Sequence, residues 1–245
     1  MRGSQLAASV FGPAVDLVYP PRCPLCGEGL GAQDGLCVSC WEGLDVPGQP
    51  ACKSCQRPLE QDIIADELDC GACLAKAPRH DGIYAASLYN ETARQLVLKF
   101  KHGRRIAMAP MLARLMTARL PAASSERLVI PVPLHWSRLW SRGFNQSALL
   151  AREIAKATGD RLLVDALVRR RRTQALGGLG RRERAKVLRG AIEVSRASTK
   201  HVAGADVVLV DDVLTSGATT AACVDALKQG GANTVAISCF ARVLD

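Results

Sequence analysis

The stretch Val207–Thr220, VVLVDDVLTSGATT, restricts the fold more than any other part of this 245-residue chain. Val207 to Val210 is an apolar, β-branched-rich run, the composition of a strand buried on both faces. Two adjacent carboxylates follow, Asp211 and Asp212, and then the small residues Thr215, Ser216, Gly217, Ala218, Thr219 and Thr220. Ala221 to Lys228 reads as a helix with Val224 and Leu227 on one face. Backbone N–H groups at a helix N-terminus, with hydroxyls beside them, make a cradle for a phosphate. Gly217 lets the backbone approach closely. Two carboxylates at a strand end can hold hydroxyl groups or a hydrated Mg²⁺. The stretch lacks the Gly-Lys-Ser/Thr of a Walker A loop. An ordinary buried strand and capped helix would need neither the acidic pair nor the run of small residues after it.

The chain has room for one α/β domain plus a smaller module. No apolar run approaches the roughly 20 residues of a membrane span. Met1 to Tyr19 has no sustained apolar core, so no signal peptide is expected and the expected location is cytoplasmic. The net charge of +9 is uneven. Residues 1–80 carry 6 basic and 10 acidic side chains (−4), and residues 81–245 carry 26 and 13 (+13). The expected partner of the basic part is a polyanion, either a phosphorylated small molecule or nucleic acid. The bland alternative is a solvated basic surface.

Eight of the ten cysteines form four Cys-x-x-Cys pairs: Cys23/Cys26, Cys37/Cys40, Cys52/Cys55 and Cys70/Cys73. Two thiolates at that spacing chelate one Zn²⁺ from a tight turn, and two pairs complete a tetrahedral site. The intervening segments are polar and rich in Gly and Pro, so metal would supply much of their folding energy. A disulfide framework is the competing reading, and the absent secretion signal argues against it. Two structural zinc sites are expected. Sequential pairing is the simplest arrangement, and interleaved pairing stays open. Cys223 and Cys239 read as core residues.

From Asp81 the texture changes. Ile83 to Tyr89 reads as a strand, and Asn90 as the cap of a helix reaching Lys101, with Gly103 as its stop. Lys99, Lys101, Arg104 and Arg105 crowd the end of that helix. A second amphipathic helix is expected over about 108–120. Leu128 to Val132 is a buried-type strand, and Asn145 caps a helix running to about Ala157, with Gly159 as its stop. The loop Pro133–Gly143 between them holds His135, Arg138 and Arg142. Leu162 to Val168, Ala191 to Ser195 and Thr234 to Phe240 are expected strands. Arg169 to Gly190 carries nine basic residues, one acid and a Gly177/Gly178/Gly180 cluster. It reads as a lid over a phosphorylated ligand, a contact for single-stranded nucleic acid without a stacking aromatic, or a solvated basic loop.

The Asp211–Thr219 segment resembles the phosphoribosyl-pyrophosphate (PRPP) motif of type I phosphoribosyltransferases. Together with the cysteine knuckles, LKFKHG, PVPLHWSRLWSRGFNQ and the Arg/Gly segment, in that order, the chain resembles the ComF family of competence-associated bacterial proteins. The resemblance spans about Cys23 to Arg242. It implies a type I phosphoribosyltransferase-like parallel sheet flanked by helices over 81–245, with ligand at the strand C-terminal ends, and a double zinc ribbon over 20–78. It implies Mg²⁺–PRPP as ligand. Asp211 and Asp212 would hold the ribose, Thr215, Ser216, Gly217, Ala218 and Thr219 the 5′-phosphate, and Arg138 and Arg142 the pyrophosphate. Lys99, in LKFKHG, is a further PRPP-binding residue by the same resemblance. The expected reaction is phosphoribosyl transfer to an unidentified nitrogen acceptor, with Arg138, Arg142, Asp211 and Asp212 carrying catalysis. A role in DNA uptake is implied, with single-stranded DNA and competence-machinery proteins as partners. The competing reading is a non-catalytic PRPP sensor that binds single-stranded DNA. Leu176 and Val187 depart from the family's lid, which commonly has Gln and Asn there; Gln174 lies close by.

Overall fold

The computed structural model describes residues 20–33, 35–60, 68–102, 105–134, 139–140, 143–169 and 190–244. His135, Arg138, Arg142, Gly103, Arg104 and the stretch 170–189 lie outside the described residues. The chain divides into two compact units, with the division between Leu44 and Asp45.

The second unit is built on a five-stranded sheet. Its strands are β1 (Ile83–Leu88), β2 (Leu128–Pro131), β3 (Arg161–Leu162), β6 (Asp206–Leu214) and β7 (Thr234–Arg242), in the order β1-β7-β6-β2-β3. All four pairings are parallel. A parallel sheet needs cover on both faces, which explains the nearly unbroken burial of β2 and β7. Successive strand residues face opposite sides. Val207, Leu209, Val235, Ile237 and Cys239 therefore share one face, where they cluster with Cys223, Val224 and Leu227 of α7 (Ala218–Gln229). Val208, Val210 and Phe240 are also fully buried and occupy the other face. There α4 (Ala109–Thr117) and α5 (Gln146–Thr158) pack on each other, with α5 against β2 and β6. Cys223 and Cys239 are fully buried core residues, as expected.

Between β1 and β2 runs α3 (Glu91–His102), whose first turn is capped by the Asn90 carboxamide oxygen accepting from Ala93 N–H at 3.0 Å. The amphipathic stretch expected over 108–120 opens instead as a 3₁₀ turn, Ile106–Met108, and becomes α4 at Ala109. Pro110 in the first turn sets that start, because its missing N–H costs nothing there. The strand expected over Leu162–Val168 is broken by a turn at 164–165. Its first part is β3. The second is β4 (Leu167–Arg169), which pairs antiparallel with β5 (Ile192–Val194) in a separate two-stranded sheet. A four-residue helix, α6 (Thr199–Val202), leads into β6.

The acidic pair does not follow its strand but lies inside it. β6 continues to Leu214 because β7 stays beside it as far as the Leu214–Arg242 pairing. β2, on the other side, ends at the Pro131–Val210 pairing. From Asp211 onward β6 has a strand on one side and a crevice on the other. The chain leaving β2 runs outward to β3 and the chain leaving β6 runs the opposite way to β7, so this crevice is a topological switch point at the strand C-terminal ends.

The cysteine-rich segments adopt one pattern twice. Cys23 and Cys52 each accept a turn-closing N–H, from Gly27 at 2.9 Å and Gln56 at 2.7 Å. Both turn residues are left-handed, Gly27 at φ 82° and Gln56 at φ 56°. Short antiparallel bridges flank the turns, Arg22–Gly29 and Ala51–Pro58. The second pair of each set lies on a short helix: Cys37 caps α1 (Val38–Glu42) and Cys70 caps α2 (Gly71–Ala75). The first set belongs to the first compact unit, and the second set to the unit that contains the sheet.

Candidate functional site

Four sulfurs at Cys23, Cys26, Cys37 and Cys40 lie within 4.8 Å of one another, and so do those of Cys52, Cys55, Cys70 and Cys73. The pairing is thus sequential, not interleaved. Tetrahedral zinc with Zn–S bonds of about 2.3 Å requires sulfurs about 3.8 Å apart. Cys26 and Cys37 sulfurs are 3.4 Å apart, and those of Cys55 and Cys70 3.8 Å. The donor sets therefore fit structural zinc, with four thiolates and no position left for a substrate. Around the second set, Cys70 N–H donates to the Cys52 sulfur at 3.2 Å, the kind of contact that orients a ligand. The Arg242 guanidinium, buried at the end of β7, donates to the Cys55 carbonyl oxygen. Cys52, Cys55 and Cys70 belong to the same apolar cluster as the sheet.

The second site is the crevice at the C-terminal ends of β2 and β6, a cleft of about 140 Å³. Its walls include Lys101, Val132, Ser147, Arg169, Asp211, Asp212 and Thr219. Adjacent residues of a strand face opposite ways, so the two carboxylates straddle the crevice. Asp211 accepts from the Ser147 hydroxyl at 3.1 Å and, on the same oxygen, from Asp212 N–H at 2.9 Å. Asp212 forms an ion pair with Lys101, Nζ to Oδ1 3.0 Å. Burial away from water, then the neighbouring Asp212 carboxylate, push Asp211 up to about 7; Asp212 N–H, Lys101 and Ser147 pull the other way.

Each of these side chains is held by its element. Asn145 caps α5, its side-chain oxygen accepting from Ser147 N–H at 3.0 Å. Its Nδ2 donates to the Val132 carbonyl at 3.2 Å, tying the helix start to the chain leaving β2. Phe144 lies against Phe100 of α3, ring centroids 6.3 Å apart. Three stretches distant in sequence, LKFKHG, GFNQS and VVLVDDVLTSGATT, thus meet at one cleft. Beyond β6, Gly217 takes the left-handed conformation at φ 70° and forms the N-cap of α7. A Cβ there would touch nothing closer than 3.8 Å, so conformation rather than space demands glycine. The Thr220 hydroxyl donates to Gly217 O at 2.9 Å, and Thr219 faces the cleft.

Of the expected ligand-binding residues, Asp211, Asp212 and Thr219 line the cleft, Thr215 to Gly217 form the adjoining loop, and Ala218 opens α7. Lys99 is not among the cleft-lining residues; Lys101 is, two positions on and so on a different side of the helix. Arg138 and Arg142 lie outside the described residues. Ser147, Gln146 and Arg169 are cleft residues that the sequence reading does not single out as ligand-binding residues. Ser147 has one local signal, its position two residues after the Asn145 cap. No described helix is long and apolar enough to cross a membrane.

Residues 14–74 match the double zinc ribbon domain, and residues 142–244 match the phosphoribosyl transferase domain. The parallel sheet with flanking helices agrees with that fold. Among solved structures, the B. subtilis glutamine phosphoribosylpyrophosphate amidotransferase complexed with ADP and GMP superposes with a TM-score of 0.39 at 21% identity, over 58% of this chain and 30% of that one. The DNA utilization protein YhgH of Salmonella typhi is 33% identical over 226 residues, 86% of this chain and 98% of that protein. Competence protein F of Haemophilus influenzae is 28% identical over 228 residues, 90% of this chain and 96% of that protein. Identity at this level along almost the whole of these relatives is common descent rather than a shared motif, and the chain belongs to the ComF family beside them.

Proposed function

We propose that this chain binds Mg²⁺–PRPP in the cleft between β2 and β6 and transfers its phosphoribosyl group to a nitrogen acceptor. One observation carries the reading: β6 outruns β2 at Asp211, and so leaves two carboxylates, with Thr219 of the first turn of α7, around one open switch-point crevice. Asp211 and Asp212 accept hydrogen bonds from the ribose hydroxyls. Thr215 to Thr219 hold the 5′-phosphate at the start of α7. The Pro133–Gly143 loop, with Arg138 and Arg142, faces the pyrophosphate. The C1–O bond to pyrophosphate breaks with its electron pair on the leaving group, an acceptor nitrogen's lone pair closes the new C1–N bond, and the proton that nitrogen sheds passes to pyrophosphate or water. Catalysis is positioning plus stabilisation of leaving-group charge. Magnesium suits this donor set, since it is commonly held by one or two carboxylates plus substrate phosphates; when bound it neutralises pyrophosphate charge.

Calorimetric titration of the zinc-loaded protein with PRPP and Mg²⁺ tests the reading. Binding that an Asp211→Asn/Asp212→Asn variant loses supports it; absence of binding to the parent protein ends it. A second reading is favoured by the +13 charge of residues 81–245 and by the relatives' names, DNA utilization protein and competence protein F. In it the chain binds single-stranded DNA and the cleft senses PRPP without turnover. DNA affinity would then fall steeply with salt, and neutralising Arg170, Arg171 and Arg172, with the cleft residue Arg169 left in place, would weaken it while sparing PRPP. No DNA binding at low salt removes this reading.

A further inference from the structure

The carboxylate pair is not an open acidic site. The Lys101 ammonium sits 3.0 Å from Asp212, and both side chains are largely withdrawn from water, at 21% and 12% exposure. One Asp211 oxygen already accepts from Ser147 and from Asp212 N–H. A bare divalent cation arriving here meets one neutralised carboxylate and one partly engaged one. A ligand that brings its own phosphates offers Lys101 a more highly charged partner across the same cleft, where Thr219 and Arg169 also stand. We infer that Lys101 is the cleft's internal counter-ion. It holds Asp212 while no ligand is bound and exchanges it for a ligand phosphate, so the pair accepts a divalent cation only as its complex with a phosphorylated sugar. The inference rests on the PRPP reading for the ligand, but the exclusion of the bare cation stands on the ion pair alone.

The geometry of α3 makes this exchange local. Phe100 is fully buried and packed on Phe144, so the helix end is anchored one residue before Lys101. Only the lysine side chain has to change partner, and an ammonium on four methylenes does so without backbone movement.

The experiment uses the full zinc-loaded chain with Mn²⁺ as a paramagnetic stand-in for Mg²⁺, followed by electron paramagnetic resonance, beside calorimetry with Mg²⁺–PRPP. The parent protein should not bind Mn²⁺ at the cleft below millimolar concentration. Lys101→Met should bind it at least tenfold more tightly, and should bind Mg²⁺–PRPP at least tenfold more weakly. Lys101→Arg should restore exclusion of the bare ion. Equal Mn²⁺ binding by parent and Lys101→Met would overturn the inference, as would unchanged PRPP affinity in that variant. Should the parent bind no PRPP at all, the proposed function fails, while the Mn²⁺ comparison still decides the role of Lys101 toward the bare cation. A second readout does not depend on the methionine variant folding. The ¹³C-methyl resonance of reductively methylated Lys101, assigned by its absence in Lys101→Arg, should move with Mg²⁺–PRPP and stay still with Mg²⁺ alone. Movement with Mg²⁺ alone would refute the exchange.

Discussion

Asp211 is costly to the ligand-free fold. Its surroundings are Asp212, the Lys101 ammonium, the Ser147 hydroxyl, and the Cys223 and Cys239 thiols, both pushed upward by burial and kept neutral. With Asp211 raised from 3.8 to about 7, the folded state binds the proton more tightly than the unfolded state does. Its contribution therefore falls as pH rises from about 4 to about 7 and is level above that. Asp211→Asn should accordingly melt higher than the parent at pH 8, by roughly one to a few kcal/mol, and match it near pH 4. Equal melting at pH 8 would show that the carboxylate is not strained. Gly217→Ala tests the loop. With open space for the methyl, only the φ of 70° is violated, so urea unfolding should register a loss of about 1 kcal/mol. The acidic pair and Gly217 are legible in sequence because their signal is local: an apolar run, two charges, a glycine. Lys101 and Ser147 are not, since Ser147 meets Asp211 across 64 positions and nothing in either neighbourhood announces the other.

At the scale of elements, the cleft is kept open by how neighbouring segments are fastened. Asn145 does two jobs, capping α5 and holding the Val132 carbonyl. Asn145→Ala should cost about 1 kcal/mol for the cap alone. Asn145→Asp keeps the cap but loses the donor to Val132, so stability retained with weakened PRPP binding would separate the two jobs. β2 and β3 are fastened at their starts by Arg127 and Asp160. Arg127 Nε and Nη2 reach one Asp160 oxygen at 3.1 and 2.8 Å, and Arg127 N–H reaches the other at 3.0 Å. Despite the cost of burial, Arg127 and Thr158 hold Asp160 below its ordinary value. Its stabilisation is thus present above about pH 4 and lost as pH falls through its lowered folded value. Asp160→Ala strands a mostly buried guanidinium, with an expected loss of about 3 kcal/mol in urea unfolding at pH 7. The helix starts at Asn90 and Asn145 were readable from cap residues and apolar spacing. The split of Leu162–Val168 was not, because strand composition says nothing about which sheet a strand joins. Nor did the end of the apolar run mark the end of β6, which its partner β7 decides.

For the whole molecule, the two tetracysteine sites look alike in sequence but carry different weight. The first belongs to its own compact unit; the second packs into the sheet's core and holds Arg242 through the Cys55 carbonyl. Leu214, the residue before the Thr215 loop, pairs with Arg242, and Val243 N–H bonds to Leu214 O at 2.9 Å. Cys70→Ser should therefore lower the melting temperature of the sheet-containing unit and speed hydrogen exchange at Thr215 to Thr219. Cys37→Ser should leave both unchanged. Equal effects of the two substitutions would mean that the sites are interchangeable struts. Four Cys-x-x-Cys pairs show the metal chemistry, but only packing shows which pair set belongs to which core.

The strand order also sets a timetable. In the five-stranded sheet β1 has one neighbour, β7, which is the last of these strands to be synthesised. Until it arrives, β1 has no partner in the sheet, the Cys55 carbonyl lacks Arg242, and β6 lacks the strand that carries it past the acidic pair. The early half of this unit therefore completes these contacts only when the late half arrives. A nascent chain stalled before Thr234 cannot assemble the edge of the sheet, the seat of the second metal site or the far wall of the cleft, and all three should appear together.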